Sequence, residues 1–285
     1  MNASWMIVAS LCFAAMAVFV KLGTPHFDAI ELAFYRSLGS MLLMGGYAAA
    51  RGGTVASPHM RLHLFRSVAG IIGAMTYFYC IVELPLATAT TLNYTSPLFL
   101  AAITTFLFRE RFPLGLVVAL FAGFAGVVML LRPAFVEGQA FAGLVGLFSG
   151  LMGAWAYVGV RELGRAGEPE WRVLFWFSIV GTILCAAWQL AFSTFHPVRW
   201  DNAWIIAGMV ALGVLGQLTL TRAYGRGNTL VTGTLSYSTI VFSALFMVLI
   251  WDDKLSWVAW AGIAVIIGAG ILSMVAGRRA APRQT

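Results

Sequence analysis

The sequence predicts an all-α integral membrane protein, with ten transmembrane helices arranged as two inverted five-helix repeats. Three observations carry that expectation. Hydrophobic residues make up 60% of the chain and charged residues 10%, with mean hydropathy +0.87, whereas a soluble domain carries about 25% charged residues. Charges and Gly/Pro clusters cut the apolar sequence into stretches close to the ~20 residues a helix needs to cross the hydrocarbon core. The second half of the chain also repeats the first at a nearly constant offset.

The elements follow in order. Residues 3–22 form an apolar run with no basic segment before it and Lys21 at its end, so they read as an uncleaved first span. Span two, 28–50, carries Glu31 near its start and Arg36 about a third of the way along. Span three, 62–82, contains Tyr77 and Tyr79. Span four, 86–108, holds "TTLNYTSPLF" (90–99), with five hydroxyl side chains, Asn93 and Pro97. Span five is 113–131. Span six, 140–162, contains "GLVGLFSGLMG", which spaces Gly143, Gly146, Gly150 and Gly153 three and four apart, and then Trp155 and Tyr157. Such small residues let membrane helices approach closely. Spans seven (170–190), eight (203–224, with Gln217), nine (229–250) and ten (255–276) complete the series, joined by short connectors.

Charge gives the orientation. Thirteen of the eighteen Lys and Arg residues fall in one alternating set of connectors and the tail. The other set has Lys21, Arg132, Arg199 and Lys254, and Arg36 lies inside a span. The positive-inside rule makes the first set cytoplasmic, with both termini. The expected location is a cell inner (plasma) membrane. The net charge of +7 follows from these scattered loops, and no nucleic-acid partner is expected.

The repeat is visible when "TLNYTSPLFLA" (91–101) is laid over "TLSYSTIVFSA" (234–244), where five positions are identical, including Tyr94 with Tyr237. The same offset pairs Gly70 with Gly213 and Gly73 with Gly216, and "FVKLG" (19–23) lies over "VRELG" (160–164). Residues 1–138 and 139–285 thus each supply five spans, the second set ending in a short basic tail. An odd number of spans per half inverts the second half, the arrangement of many secondary transporters.

Taken together, "LPLATATTLNYTSPLF" with "FRERF" (84–112) and "GAWAYVGVRELGRAG" (153–167) resemble the EamA branch of the drug/metabolite transporter superfamily, over nearly the whole chain. The resemblance implies export of a small metabolite, with amino acids or related solutes first, by alternating access; some members import nutrients instead. The family often has a proline in span nine to match Pro97. Here that position is Ile240, so the halves are expected to flex differently, and a span that bends during transport is expected to be the fourth rather than the ninth.

Candidate residues follow from chemistry. Pro97 frees the carbonyl of Asn93, which membrane interiors tolerate where protein or a wet cavity satisfies it. Asn93 and Ser96 share a helix face, and the repeat turns them into Ser236 and Thr239. With Tyr94 and Tyr237 they are expected to line a central cavity where the halves meet. A charge inside a span marks a partner or a pathway, so Arg36 is expected to hold a substrate carboxylate, to snorkel, or to pair with Glu31. Tyr77, Tyr79, Trp155, Tyr157 and Gln217 are further lining candidates. The alternative for each is helix packing or interhelical hydrogen bonding.

Other classes fit less well. Cys12, Cys80 and Cys185 lie in apolar segments as small core residues, and no CxxC, HExxH or Cys/His cluster calls for a metal or cofactor. The four histidines sit in connectors or at span edges without mid-depth acids, which disfavours an intramembrane enzyme. The acidic residues cluster at span ends, so no buried glutamate route for proton antiport is expected. A scaffold would carry a soluble domain, and only the tail "GRRAAPRQT" is present. The expected partners are a small molecule and the bilayer; a monomer fits, and a dimer is also compatible.

Overall fold

The computed structural model describes residues 2–134 and 138–280, and among these every regular element is a helix. A 3-10 turn (Asn2–Ser4) leads into α1 (Trp5–Gly23), followed by α2 (Ala29–Ala50), α3 (Met60–Glu83), α4 (Leu86–Asn93), α5 (Ser96–Phe106) and α6 (Leu114–Leu131). The remainder are α7 (Ala140–Arg165), α8 (Glu170–Phe192), α9 (Trp200–Arg226), α10 (Thr229–Ser236), α11 (Ser238–Trp251) and α12 (Trp257–Ala280). Residues 135–137 and the tail beyond 280 lie outside the described residues. Eight segments among those described are long and apolar enough to cross a membrane. They are α1 with its leading turn, α3, α6, α7, α8, α9, the α10–α11 pair and α12. Glu31, Arg36 and several hydroxyls dilute α2, and a turn divides α4 from α5.

The two halves of the chain are interleaved. The most extensive packing runs between α3 and α7, α6 and α12, α1 and α9, and α2 and α8, each pair taking one helix from either side of residue 138. Ion pairs gather one set of connectors at a single end. Arg161 bonds Glu110, Arg165 lies 3.0 Å from the same carboxylate, and Arg226 lies 3.0 Å from Glu170. Arg172 donates to the Thr54 carbonyl at 2.9 Å. At the opposite end Thr88 donates to Ala134 O (2.7 Å), Gln139 donates to Glu83 O (2.7 Å) and Lys21 lies 4.0 Å from the Trp251 ring centre. The first will be called the basic end.

Spans four and nine are both interrupted, at Tyr94–Thr95 and at Tyr237. Only the first carries a proline at the matching position, where Pro97 corresponds to Ile240. At each break the helix tightens to i→i−3 bonding: Thr95 N to Leu92 O (3.2 Å), and Tyr237 N to Thr234 O (3.3 Å). In each, a hydroxyl donates back to the carbonyl three residues earlier, Thr95 to Leu92 and Ser238 to Leu235. These are matching positions of the repeat. The hydroxyl gives the backbone an alternative partner, which explains a break that proline alone would have placed in one half.

The break in span four is covered by α7. A Cβ on Gly150 would fall 2.3 Å from Thr95 Oγ1 and 2.9 Å from Leu92 O, whereas one on Gly143 would meet nothing within 4 Å. Gly150→Ala should therefore destabilise the protein by about 1–3 kcal/mol through overpacking. Gly143→Ala should be neutral or stabilising by up to about 1 kcal/mol. Thermal unfolding of the purified variants in detergent separates the two; equal melting temperatures would contradict this packing.

Candidate functional site

A cavity of about 360 Å³ lies between α1, α2, α3, α8 and α9. It reaches from Arg36 up to Ala29, Ile30 and Trp188, at the end opposite the basic connectors. Its walls are aliphatic and aromatic, with polar atoms contributed by Arg36, Ser37, Tyr77 and Cys185. A small adjoining space links Arg36 and Ser37 to Ser40, Ser178 and Gln217.

Sequence places the mouth in register with the floor. The Glu31 carboxylate reaches back to the Asp28 N–H (3.4 Å) at the start of α2. It also accepts from the His196 backbone N–H (2.9 Å) and faces His196 Nδ1 at 2.8 Å. Asp28 accepts from Ser193 Oγ (2.7 Å). The α8–α9 connector is thus tied down on α2, and Glu31 is fully buried. Glu31 does not pair with Arg36. Five residues further along α2, Arg36 enters the cavity, and its guanidinium makes no ion pair or hydrogen bond among the described residues. A Cβ on Gly213 of α9 would lie 3.3 Å from Arg36 Cγ, so this glycine leaves room for the arginine stem. Asp28, Glu31 and His196 also bring donor atoms within 4.8 Å of one another. Each is already engaged in the hydrogen bonds just described.

The other candidates occupy different places. Tyr77 lines the cavity and shares a 3.0 Å hydrogen bond with Thr90. Gln217 lies in the adjoining space. Asn93 donates to Ser149 Oγ (3.2 Å), tying α4 to α7, and Ser96 packs beside Gly153. Pro97 packs against Gly233, and Ser236 donates to the Gly233 carbonyl (2.7 Å). Tyr94 and Tyr237 are ring neighbours at 6.4 Å, and Thr239 is half-buried beside them in sequence at the start of α11. This group forms a buried seam between α4, α5, α7 and α10, outside the cavity. Tyr157 stacks on Tyr224 at 4.6 Å, Trp155 meets Phe65 edge-on at 5.9 Å, and Tyr79 is exposed beside Phe141.

Sequence reasoning did not find Ser37, Phe177, Cys185 or Met209 as lining residues, nor that Arg66 is buried inside α3. Arg66 follows Arg61 and His63, and this basic cluster reads as a connector. The one available signal was Gly70, a turn later, matched by Gly213 in the repeat.

The comparisons agree with this architecture. A sequence model of the EamA-like transporter family matches residues 1–132 and 140–275. The chain is 28% identical over 273 residues to a protein named pseudopaline exporter CntI from Pseudomonas aeruginosa (strain UCBPP-PA14), covering 95% of this chain and 92% of that one. It is 21% identical to mouse solute carrier family 35 member G1, covering 92% and 74%. A solved crystal structure superposes with TM-score 0.85 at 20% identity over 98% of both chains.

His196 lies outside the spans, and its pH behaviour can be read. Its hydrogen bond to Glu31 raises its pKa above the ordinary 6.5; loss of hydration opposes this, and the Glu31 and Asp28 charges reinforce it. A raised folded pKa stabilises fully below 6.5 and the contribution is lost as pH rises through the raised value. The melting-temperature difference between wild type and His196→Gln should be largest below pH 6.5 and fade in alkaline buffer. A difference that grows with pH would contradict this connection.

Proposed function

The chain belongs to the EamA-like transporter family, and from that premise we propose that it is a secondary transporter exporting a small organic metabolite that bears a carboxylate, such as an amino acid or a related acid. The observation that carries this reading is Arg36. It is a guanidinium without an acidic partner, at the floor of an otherwise apolar cavity of about 360 Å³. Small-molecule sites are commonly about 300–1,000 Å³, mostly apolar, with a few placed polar groups that fix orientation. Arginine presents a planar fork that matches a carboxylate.

The transport cycle is alternating access between two inverted five-span halves, 1–138 and 139–285, ten spans in all. The chain sits in the inner membrane with both termini cytoplasmic. On that topology the basic end faces the cytoplasm and the cavity opens outward. Closure of the cytoplasmic side is supported by the Arg161–Glu110–Arg165 cluster and by the crossing of α7 and α9. A Cβ on Gly164 there would fall 2.3 Å from Gly225 Cα. The buried seam around Asn93, Tyr94, Ser96, Pro97, Ser236, Tyr237 and Thr239 is where the halves part to open the inner path. Export, as opposed to uptake, is supported by the name of the exporter relative.

The test is solute counterflow in proteoliposomes, with candidate amino acids and organic acids first ranked by thermal shift on the purified protein. Arg36→Gln should lower transport of carboxylate solutes by about ten- to a hundred-fold, the loss expected for one charge-assisted hydrogen-bonding partner. Unchanged counterflow in that variant would overturn the role of Arg36, and transport confined to uncharged solutes would overturn the substrate class.

A further inference from the structure

We infer that Arg66 is a second anion-binding residue on the same path, and that the cargo carries two acidic groups, one for Arg36 and one for Arg66. This rests on the reading of the cavity as the transport site. Arg66 lies inside α3 and is 4% exposed. Its stem is pressed against α7, where a Cβ on Gly159 would fall 2.6 Å from Arg66 Cβ. Its guanidinium lies over the Phe177 ring at 3.7 Å from the centre. Nη1 comes within 3.2 Å of where a Cβ on Gly70 would stand. Gly70 is one turn nearer the cavity, whose α3 wall begins at Ile71. The head group therefore points toward the cavity, and Phe177, itself a cavity wall, stands against it.

The hydrogen-bonding state of Arg66 is the second observation. Nε and Nη1 are buried with no partner. No carboxylate forms an ion pair with it among the described residues. Glu168, in the connector before α8, is already held by Ser57 and by Arg172 at 2.9 Å, with His63 Nε2 3.5 Å away. The cation–π contact with Phe177 offsets part of the cost of burying the charge, but it leaves the N–H groups of Nε and Nη1 unmet. A buried guanidinium without counter-charge is expensive, and an intramembrane one usually marks a ligand or a pathway. Arg36 and Arg66 both flank Phe177, which Arg66 covers and which lines the cavity with Arg36. Gly70 makes room for one and Gly213, its match in the repeat, makes room for the other. A cargo with two carboxylates satisfies both, whereas a monoacid leaves one bare. Rotation of the Phe177 ring away from Arg66 is the movement that admits the second carboxylate.

The experiment uses the purified full chain in detergent and the diacid series from malonate to adipate, each compared with its monoamide at matched ionic strength. Binding is read by calorimetry. The best diacid should bind at least about ten-fold more tightly than its monoamide, as loss of a hydrogen bond to a charged group predicts. Arg66→Gln should bring that ratio toward one, and Arg66→Lys, which keeps the charge but not the fork, should lower it less. Should Arg66→Gln fail to fold, an unchanged ratio in Arg66→Lys overturns the assignment. Equal binding of diacid and monoamide to wild type overturns the two-acid cargo and leaves the Arg36 site standing. If no diacid and no monoamide binds, the cavity reading falls and this inference with it.

Discussion

Close contact between helices through glycine governs how this bundle is built. In lipid there is little hydrophobic gain in bringing two apolar helices together, so packing and interhelical hydrogen bonds supply the attraction. Both need short separations. Gly150 lets α7 lie on the broken backbone of span four, Gly159 lets it lie on the Arg66 stem, and Gly164 meets Gly225 where α7 crosses α9. Gly126 and Gly262 do the same for α6 and α12, where a Cβ on either would come within 2.9 Å of the other's carbonyl oxygen. The contacts at Gly150, Gly159 and Gly126–Gly262 each join a helix before residue 138 to one after it, whereas Gly164–Gly225 joins two helices after it. The interrupted helices and the buried arginines are tolerated because these contacts enclose them.

The distribution of polar groups follows from the same constraint. A backbone group left bare in hydrocarbon costs several kcal/mol by general estimate, so hydroxyls in the spans are spent first on carbonyls. Thr76, Thr91, Thr104, Thr182, Thr219 and Thr234 each donate to a carbonyl four residues earlier. Charges are treated differently at the two ends. The basic end pairs its arginines with Glu110, Glu162, Glu168 and Glu170. Further into the bundle, Arg36 and Arg66 have no acidic partner among the described residues. On the proposed reading the cargo supplies the missing negative charge.

Much of the fold was legible because the bilayer imposes length and polarity on every span. Predicted 28–50 became Ala29–Ala50 and predicted 140–162 became Ala140–Arg165. The matched Tyr94 and Tyr237 fell at matched helix breaks. What could not be read was the use of each hydroxyl. Ser and Thr look alike in sequence whether they face a cavity, as Ser37 does, or bond their own helix, as Ser236 does. Of the predicted lining residues, Arg36, Tyr77 and Gln217 border the cavity and its adjoining space, while the polar run of span four lies in a seam; most of the cavity wall is built from residues whose one-dimensional signal is plain hydrophobicity. Arg36 stood out because its flanks are apolar. Arg66 did not, because neighbouring Arg61 and His63 made it look like part of a loop.

Two guanidinium groups without counter-ions inside a membrane have an electrical meaning. They sit within the transmembrane field, where full transit of one elementary charge is worth about 2.3 kcal/mol per 100 mV. Any rearrangement that shifts them by a fraction of the bilayer thickness does work against or with the membrane potential. On the proposed cycle, an empty carrier moves with those charges exposed to the field, and a carrier whose cargo neutralises them does not. Voltage would then act on the return step more than on the loaded step, and the polarity of the membrane would bias which face the empty protein presents.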